Sequence, residues 1–184
     1  GWQVLGIQEG WRGMVEGIAV PLKLEDVIDI ITKGGTILGS SRTNPYKDPV
    51  MVQKVKDNFK KLKLDALVAL GGEDTLGVAN KLHKEGFPVV GVPKTMDNDL
   101  SGTDFTFGFD TAVSLAADAA MRLKDTAESH RRVIVFEVMG RHAGWVALYT
   151  GIVCGADWIM IPEVEVNLDE VCEQLKKIRA RGKK

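Results

Sequence analysis

The sequence predicts an α/β fold with a mostly parallel sheet and helices on both faces. Short apolar, β-branched runs alternate with longer stretches of helical periodicity along the whole chain. Several glycine-rich or polar loops also come directly after such runs. Parallel strands place these loops along one edge of a sheet, which is where ligands bind in open α/β folds. We therefore predict a Rossmann-like arrangement with its functional loops on that edge.

Length and composition favour one globular domain, which we assign to residues 1–184. The chain is 45% hydrophobic and 27% charged, with 24 basic and 25 acidic side chains and a formal net charge of −1. This balance gives no electrostatic reason to expect nucleic acid or a membrane surface as a partner. Cys154 and Cys172 lack metal-ligand spacing, so a cytoplasmic location is the simplest interpretation. Because the chain begins at Gly1 without Met, we expect it to belong to a longer protein.

In the first half of the chain, apolar runs and helical spacing divide the sequence at glycines and prolines. Gln8–Gly17 is punctuated by glycine and is interpreted as a loop or a short helix. We predict strands at Trp2–Ile7, Thr36–Leu38, Ala66–Leu70 and Val89–Val92, and helices at Lys23–Lys33, at Pro49–Leu62 and up to about His83.

The second half continues the alternation. The unbroken apolar run Val133–Val138 predicts a buried strand, and Trp158–Ile161, closed by Pro162, predicts another. Helices are predicted at Thr111–Lys124, Gly144–Val153 and Leu168–Ala180.

The loop Pro93–Asp99 follows the apolar run Val89–Val92 and has the sequence Pro-Lys-Thr-Met-Asp-Asn-Asp. It brings two carboxylates, one ammonium and one hydroxyl to the end of a strand. Phosphate chemistry needs a base, a cation and a hydrogen-bond donor at one place, and this loop supplies all three. The alternative is an ordinary solvated turn with Asn and Asp in turn positions.

A second loop, Gly71–Thr75, lies between a predicted strand and a helix. Its glycines allow close backbone approach, and amides at a helix N-terminus favour phosphate oxygens. Glu73 and Asp74 would repel a bare phosphate, so a cation such as Mg²⁺ should mediate. The alternative makes Asp74 or Thr75 a helix N-cap and the glycines a tight turn. The P-loop pattern G-x-x-x-x-G-K-[ST] is absent from the sequence.

Two arginines follow other predicted strands. Arg42 lies in Gly-Ser-Ser-Arg-Thr, and Arg141 lies in Met-Gly-Arg-His. A guanidinium is a good clamp for phosphate, although many arginines are surface charges. His142 could act as an acid or base, but a neutral surface histidine is the simpler interpretation.

These motifs, in this order and spacing, resemble the phosphofructokinase family over essentially the whole chain. The segments that carry the resemblance are Gly-Gly-Thr-Ile-Leu-Gly-Ser-Ser-Arg ending at Arg42, Gly71–Thr75, Pro93–Asp99, Phe107-Gly-Phe-Asp-Thr-Ala, Ser129-His-Arg-Arg and Glu137-Val-Met-Gly-Arg-His-Ala-Gly.

The resemblance implies roles for individual residues. Asp97 is similar to the general base that takes the proton from the sugar 1-hydroxyl, and Thr95 to a contact of the transferred phosphoryl group. Glu73 aligns with the magnesium-binding acid, which makes Mg²⁺ the implied cofactor. Asp99 resembles a supporting acid, and Arg132 resembles an arginine that reaches the 6-phosphate of fructose 6-phosphate in a neighbouring subunit. The remaining implied contacts are Arg42, Thr43, Gly72, Asp74 and Thr75 on the donor side and Met139, Gly140 and Arg141 in a sugar-binding turn.

Two positions bear on the phosphoryl donor. Family members that use ATP usually have glycine where this chain has Asp74, and many have glycine where it has Lys94. The pair is similar to the pyrophosphate-dependent branch, which makes fructose 1,6-bisphosphate and phosphate. ATP as the donor is the nearest alternative, and an inactive phosphate-binding fragment is another. The family's N-terminal glycine-rich loop and later sugar-phosphate segment are missing here, so the chain resembles most of the donor-binding domain of a homo-oligomeric enzyme.

Overall fold

The computed structural model describes residues 1–182. The chain divides into two compact units, Gly1–Val92 and the part from Pro93 onward. The last two residues of the predicted domain 1–184 lie outside the described residues. Strand β4 (Val89–Thr95) is the middle strand of a three-stranded sheet of order β3-β4-β5. The predicted α/β class and parallel sheet are confirmed.

The first unit begins with an antiparallel pair of strands, in which Val4 faces Leu22 and Ile7 faces Ala19. A 3-10 turn, Pro45–Lys47, precedes the longest helix of the unit. In chain order the elements are β1 (Val4–Ile7), α1 (Trp11–Glu16), β2 (Ala19–Leu22), α2 (Leu24–Val27), α3 (Pro49–Lys61), β3 (Leu67–Gly71) and α4 (Glu73–Lys84), followed by the start of β4.

The core of this unit forms where the amphipathic helices α3 and α4 bury their apolar faces. Val55 and Phe59 of α3 and Val78 and Leu82 of α4 lie in one cluster with Met14. The Phe59 and Phe87 rings meet edge to face with centroids 5.3 Å apart, a favoured aromatic geometry. Burial of these side chains fixes the start of α4, where Glu73 and Asp74 lie.

The second unit contains the end of β4, the short strand β5 (Phe107–Gly108) and the helices α5 (Phe109–His130), α6 (Trp145–Cys154) and α7 (Leu168–Ala180). Lys94 pairs with Phe107 and Thr95 with Gly108 in parallel register. A core cluster of Phe109, Val113 and Val146 joins α5 to α6, with Met96 and Val138 packed against it.

Three predicted strands are wrong, because Thr36–Leu38, Val133–Val138 and Trp158–Ile161 form no strand in the structure. A strand is stabilised by ladder partners, and these runs have none within residues 1–182. Val135 is 78% exposed, so the apolar run that predicted burial lies largely in solvent.

The predicted helix Lys23–Lys33 is reduced to the four residues of α2. Its apolar side chains remain exposed, Leu24 at 73% and Ile31 at 93%. A helix this short is not stable without an apolar face packed on a neighbour, so the periodicity alone overestimated its length.

These corrections change the predicted arrangement of the loops. Gly71–Thr75 leads from the last residue of β3 into α4, as predicted. The predicted end of the next strand at Val92 is wrong, because β4 continues to Thr95 and only the later part of Pro93–Asp99 is a loop. Arg42 and the Met139–Arg141 turn follow no strand in the described part of the chain, so the prediction that all such loops leave strand ends is wrong for these two.

The structure also contains elements that periodicity did not indicate, namely β2 and the two-residue β5. Helix α5 is longer than predicted, because it begins at fully buried Phe109 and continues to His130. Within residues 1–182, no helix combines the length and the apolar character needed to cross a membrane.

Candidate active site

Thr95 and Asp97 form a hydrogen-bonded pair at the end of β4. The Thr95 hydroxyl donates to Asp97 Oδ2 over 3.1 Å, and the Asp97 amide donates to Thr95 Oγ1 over 3.2 Å. Both side chains are half-buried. Among the described residues, Asp97 forms no ion pair, and the Thr95 hydroxyl orients its carboxylate.

The loop that holds this pair is bonded to the segment before β5. The Thr106 hydroxyl donates to the Thr95 carbonyl over 2.6 Å, and the Thr106 amide donates to Asn98 Oδ1 over 2.9 Å. Asn98 Nδ2 also donates to the Asp104 carbonyl over 3.2 Å. The side chains of Asn98 and Thr106 therefore hold the loop after β4 in place.

Lys94 and Asp99 flank the pair and both are exposed. Lys94 lies in the β4–β5 ladder opposite Phe107, which fixes its backbone while its ammonium faces solvent. Neither charge is in an ion pair within residues 1–182. Both remain free to interact with a charged ligand.

The Gly71–Thr75 loop connects the buried end of β3 to the N-terminus of α4. Gly71 is buried, and a Cβ at this position would lie 2.6 Å from the Thr75 Cβ and Oγ1 atoms. Gly72 is the N-cap residue, and no side chain bonds to the first amides of α4. The alternative in which Asp74 or Thr75 caps the helix is therefore wrong. Glu73 and Asp74 are exposed in the first turn, next to uncapped amides.

The Arg42–Thr43 segment is bonded to the loop after β1. The Ser41 hydroxyl donates to the Glu9 carbonyl over 2.7 Å, and the Glu9 amide donates to the Leu38 carbonyl over 2.8 Å. Glu9 has a left-handed backbone with φ of 59°, which few residues other than glycine adopt. Arg42 is exposed and has no ion-pair partner among the described residues, which suits an anion-binding role.

Beyond Thr43, the 3-10 turn is attached to the end of α4. The Tyr46 hydroxyl donates to Glu85 Oε1 over 2.8 Å, and Lys56 forms an ion pair with the same carboxylate. Burial, and then this hydrogen bond, raises the pKa of Tyr46 above its ordinary value. The hydrogen bonds from Lys56 and Tyr46 lower the pKa of Glu85.

The Met139–Arg141 turn lies before α6, and all three of its residues are exposed. Gly140 has φ of 154°, and a Cβ there would lie 2.6 Å from the Ala143 carbonyl oxygen. Val138 and Met96 pack against the same core cluster, so this turn and the Asp97 loop are anchored in one apolar core.

Arg132 follows the C-terminus of α5, where its amide donates to the Ala127 carbonyl over 2.9 Å. Its side chain is exposed and pairs with no carboxylate in the described part of the chain.

Sequence reasoning gave no individual role to Asn98, Thr106 or Glu163. Glu163 Oε1 accepts a hydrogen bond from the Gly144 amide over 2.7 Å, next to the predicted sugar-binding turn. Asn98 and Thr106 hold the Asp97 loop. An Asn within a polar turn was the available signal for Asn98, whereas Thr106 could be found only from its long-range bonds.

The chemistry of Glu73 fits a magnesium ligand of a particular kind. Mg²⁺ is commonly held by one or two carboxylates together with substrate phosphates and water. Glu73 supplies one exposed carboxylate without an ion-pair partner, and no group of three or more His, Cys, Asp or Glu side chains in residues 1–182 could hold a metal alone. The residues therefore fit an ion shared with a phosphate ligand.

Comparison with known proteins decides the family. The family model described as Phosphofructokinase matches residues 1–184. This chain belongs to the phosphofructokinase family. Its motifs were therefore interpreted correctly at the family level.

Among curated members of the family, a protein from Dictyoglomus thermophilum named pyrophosphate–fructose 6-phosphate 1-phosphotransferase is 60% identical over 183 residues, covering 100% of this chain and 53% of the relative. An ATP-dependent 6-phosphofructokinase from Corynebacterium efficiens is 49% identical over 185 residues, covering 100% of this chain and 54% of the relative. The chain thus spans about half the length of the curated relatives it matches.

A solved phosphofructokinase gives the structural match. The T-state enzyme from Pichia pastoris superposes with a TM-score of 0.87 at 28% identity, covering 97% of this chain and 20% of that one. The described elements are therefore those of a phosphofructokinase segment.

Proposed function

We propose that the protein carrying this chain transfers a phosphoryl group from pyrophosphate to the 1-hydroxyl of fructose 6-phosphate. The products are fructose 1,6-bisphosphate and phosphate. The observation that carries the proposal is the Thr95–Asp97 pair, a carboxylate oriented by a hydroxyl at a strand end in a phosphofructokinase chain. The 60% identical relative is named for the same two substrates, which supports the proposal.

Asp97 acts as the general base in this proposal. Its carboxylate accepts the proton of the sugar 1-hydroxyl, and the freed oxygen attacks the terminal phosphorus of pyrophosphate as phosphate leaves. A positioned base of this kind typically contributes about 10²–10⁴-fold. Thr95 contacts the transferred group, and Asp99 supports the loop as a second acid.

Basic side chains stabilise the charge that the reaction moves. Lys94 is exposed and in no ion pair among the described residues, and its ammonium neutralises the transferring or leaving phosphate. Arg42, Arg132 and Arg141 are exposed as well and act as anion clamps. Arg42 contacts the donor, together with Thr43, Gly72 and Thr75. Arg132 contacts a 6-phosphate across a subunit boundary, and Arg141 contacts the sugar together with Met139 and Gly140.

Glu73 would hold Mg²⁺ together with phosphate oxygens. When bound, the ion neutralises phosphate charge and so assists phosphoryl transfer. Close packing of Gly71 against the Thr75 side chain sets the backbone at the start of α4. This backbone positions the Glu73 side chain.

Asp74 supports pyrophosphate as the donor. It is exposed in the first turn of α4, next to uncapped amides that would otherwise attract phosphate. ATP continues into a third phosphate and a nucleoside, and a carboxylate facing that phosphate would bring like charges together. Pyrophosphate ends before that point and avoids the repulsion.

ATP is the second candidate donor, and one observation favours it. An ATP-dependent relative is 49% identical over 185 residues and covers 100% of this chain, so an enzyme with the other donor also matches it along its whole length. In either case we infer that residues 1–184 supply most of the donor-binding domain of a cytoplasmic, homo-oligomeric enzyme.

The donor test compares kcat/KM for pyrophosphate and ATP in the full-length protein, Asp74→Gly, and Asp74→Gly with Lys94→Gly. The parent is expected to prefer pyrophosphate, and Asp74→Gly to raise ATP use from a low baseline. Loss of Lys94 should then cut pyrophosphate turnover by roughly 2–4 kcal/mol of transition-state stabilisation. A parent that prefers ATP contradicts the donor assignment.

Asp74→Asn is the matched control, since it removes the charge at nearly constant size. Equal ATP use in Asp74→Asn and Asp74→Gly would assign the discrimination to charge. A gain restricted to Asp74→Gly would assign it to crowding.

A further inference from the structure

We propose that Asn98 and Thr106 are positioning residues that hold the Asp97 carboxylate for proton transfer. This inference rests on the proposed function, because it takes Asp97 as the base. It assigns no substrate contact to either residue. Both act through the backbone on either side of Asp97.

Thr106 bonds to both flanks of Asp97. Its hydroxyl donates to the carbonyl of Thr95, and its amide donates to the side chain of Asn98. Asp97 therefore lies between two points attached to one residue. Thr106 is only 5% exposed, so these bonds are protected from competing water.

Asn98 adds a conformational contribution. Its φ of 53° lies in the left-handed region, which Asn enters more readily than most residues. Its amide uses both polar atoms, because Oδ1 accepts from Thr106 while Nδ2 donates to the Asp104 carbonyl. The turn directly after Asp97 is thus fixed by backbone preference and by two hydrogen bonds.

Within residues 1–182, the Asp97 carboxylate is held from the strand side by the Thr95 hydroxyl, which lies at the end of β4. The Thr95 bond fixes only this side of Asp97, so the turn after Asp97 needs a second attachment to keep the carboxylate in register with a substrate. The clamp through Thr106 and Asn98 connects the loop to the chain that enters β5 and α5.

Catalysis is sensitive to such positioning. A displacement of about 1 Å arising away from the chemistry can cost about 10²-fold in rate. A loosened loop should lower turnover while leaving the phosphate and sugar contacts on other segments intact. The expected signature is a lower kcat at nearly constant KM.

The test uses the full-length enzyme with Asn98→Gly, Thr106→Val and Thr106→Ser, assayed for kcat and for KM of fructose 6-phosphate. Asn98→Gly keeps the left-handed backbone but removes both amide bonds, and Thr106→Val removes the hydroxyl at constant shape. Each is expected to lower kcat by about 10- to 100-fold with KM changed by less than about threefold. Thr106→Ser restores the hydroxyl and should restore kcat to within about threefold of the parent.

Asn80→Asp is the matched control, because Asn80 is exposed on α4 in the other unit. Its kcat should equal that of the parent. Calorimetric binding of fructose 6-phosphate and the melting temperature establish that each variant is folded. Parental kcat in folded Asn98→Gly and Thr106→Val overturns the inference, as does loss of sugar binding in step with kcat.

The parent enzyme separates this inference from the proposed function. If the parent enzyme does not phosphorylate fructose 6-phosphate with either pyrophosphate or ATP, the proposed function is refuted, whatever the variants do. An active parent with insensitive variants refutes only the positioning role. An active parent that prefers ATP leaves the positioning role standing, because the base acts on the sugar with either donor.

Discussion

At the residue scale, the contact between Gly71 and Thr75 determines how β3 enters α4. Any side chain at residue 71 would overlap the Thr75 side chain, at 2.6 Å from its Cβ. Real Cβ atoms do not approach this closely, so glycine is required for packing. The phosphate-binding interpretation of Gly-Gly-Glu-Asp-Thr and a packing requirement therefore apply to the same loop.

We expect Gly71→Ala to destabilise the full-length protein by about 1–3 kcal/mol, because an added methyl group overpacks a buried contact. Gly77→Ala is the matched control. Nothing lies within 4 Å of a Cβ at Gly77 in α4, and there alanine should stabilise by about 0.5–1 kcal/mol. Denaturant unfolding of both variants measures the difference. Equal effects of the two substitutions would contradict the packing argument.

Replacing the proposed base gives the second residue-scale prediction. Asp97→Asn keeps the shape and the bond from Thr95 but cannot take a proton, so kcat should fall by at least about 10²-fold. Calorimetric binding of fructose 6-phosphate should change little. Asp65→Asn, at an exposed site before β3, provides the control. Near-parental turnover in Asp97→Asn would remove Asp97 from the mechanism.

At the element scale, one carboxylate connects three elements of the first unit. Glu85, directly after α4, accepts a hydrogen bond from Tyr46 of the 3-10 turn and pairs with Lys56 of α3. Lys81 of α4 also lies over the Tyr46 ring, 5.0 Å from its centroid. This cluster fixes the segment that follows Arg42 and Thr43.

The shifted pKa values of this cluster predict pH-dependent stability. The pKa of Glu85 is lowered in the folded state, so its contribution is present above the unfolded pKa of about 4.5 and is lost as pH falls through the lower folded value. The pKa of Tyr46 is raised, so its contribution is present below about pH 10 and is lost at higher pH. Glu85→Gln should weaken the acid-side dependence of the melting temperature, and Tyr46→Phe the alkaline side. Melting curves from pH 3 to 11 measure both, and unchanged profiles would refute the assignment.

Sequence predicted α3, β3 and β4, which contribute Val55, Ala69 and Val89 to one buried cluster of the described chain. Helices α3 and α7 match their predicted ranges within one residue, and β3 and β4 are present. The predictions of a strand at Val133–Val138 and of a helix at Lys23–Lys33 were wrong for the opposite reason. Periodicity indicates what a segment can bury, but not whether a neighbouring element is present to cover it. The two-residue β5 is specified by the Thr106 and Asn98 bonds, which no local pattern encodes.

At the scale of the whole molecule, residues assigned by family resemblance are found on separate segments. The Thr95–Asp97 pair and the start of α4 have local geometry that suits the roles implied by the resemblance, and these roles stay predictions. Arg132 and Arg141 are exposed side chains whose roles depend on partners outside the described residues. Their roles remain predictions, because short-range contacts do not specify what an exposed guanidinium binds.

Arg132 gives the prediction at this scale. If Arg132 reaches a 6-phosphate in a neighbouring subunit, Arg132→Ala should weaken the binding of fructose 6-phosphate by about tenfold to a hundredfold. This is the effect of losing a charged hydrogen bond. The binding of pyrophosphate should be weakened much less. Binding of both ligands to the full-length enzyme measures this, and Arg131→Ala is the control for the adjacent exposed charge. Equal weakening of both ligands would contradict the assignment.

The exposed run Val133–Val138 has a consequence for handling the chain in solution. Its sequence, Val-Ile-Val-Phe-Glu-Val, combines β-branched and aromatic residues with a single charge and no proline or glycine. Such six-residue segments are the type that stack into cross-β fibrils when their backbone is unpaired. Glu137 is the only charge within the run, so Glu137→Gln should promote fibril growth from this segment. The run that best predicted a buried strand is thus also the principal amyloid hazard of residues 1–184 when they are produced alone.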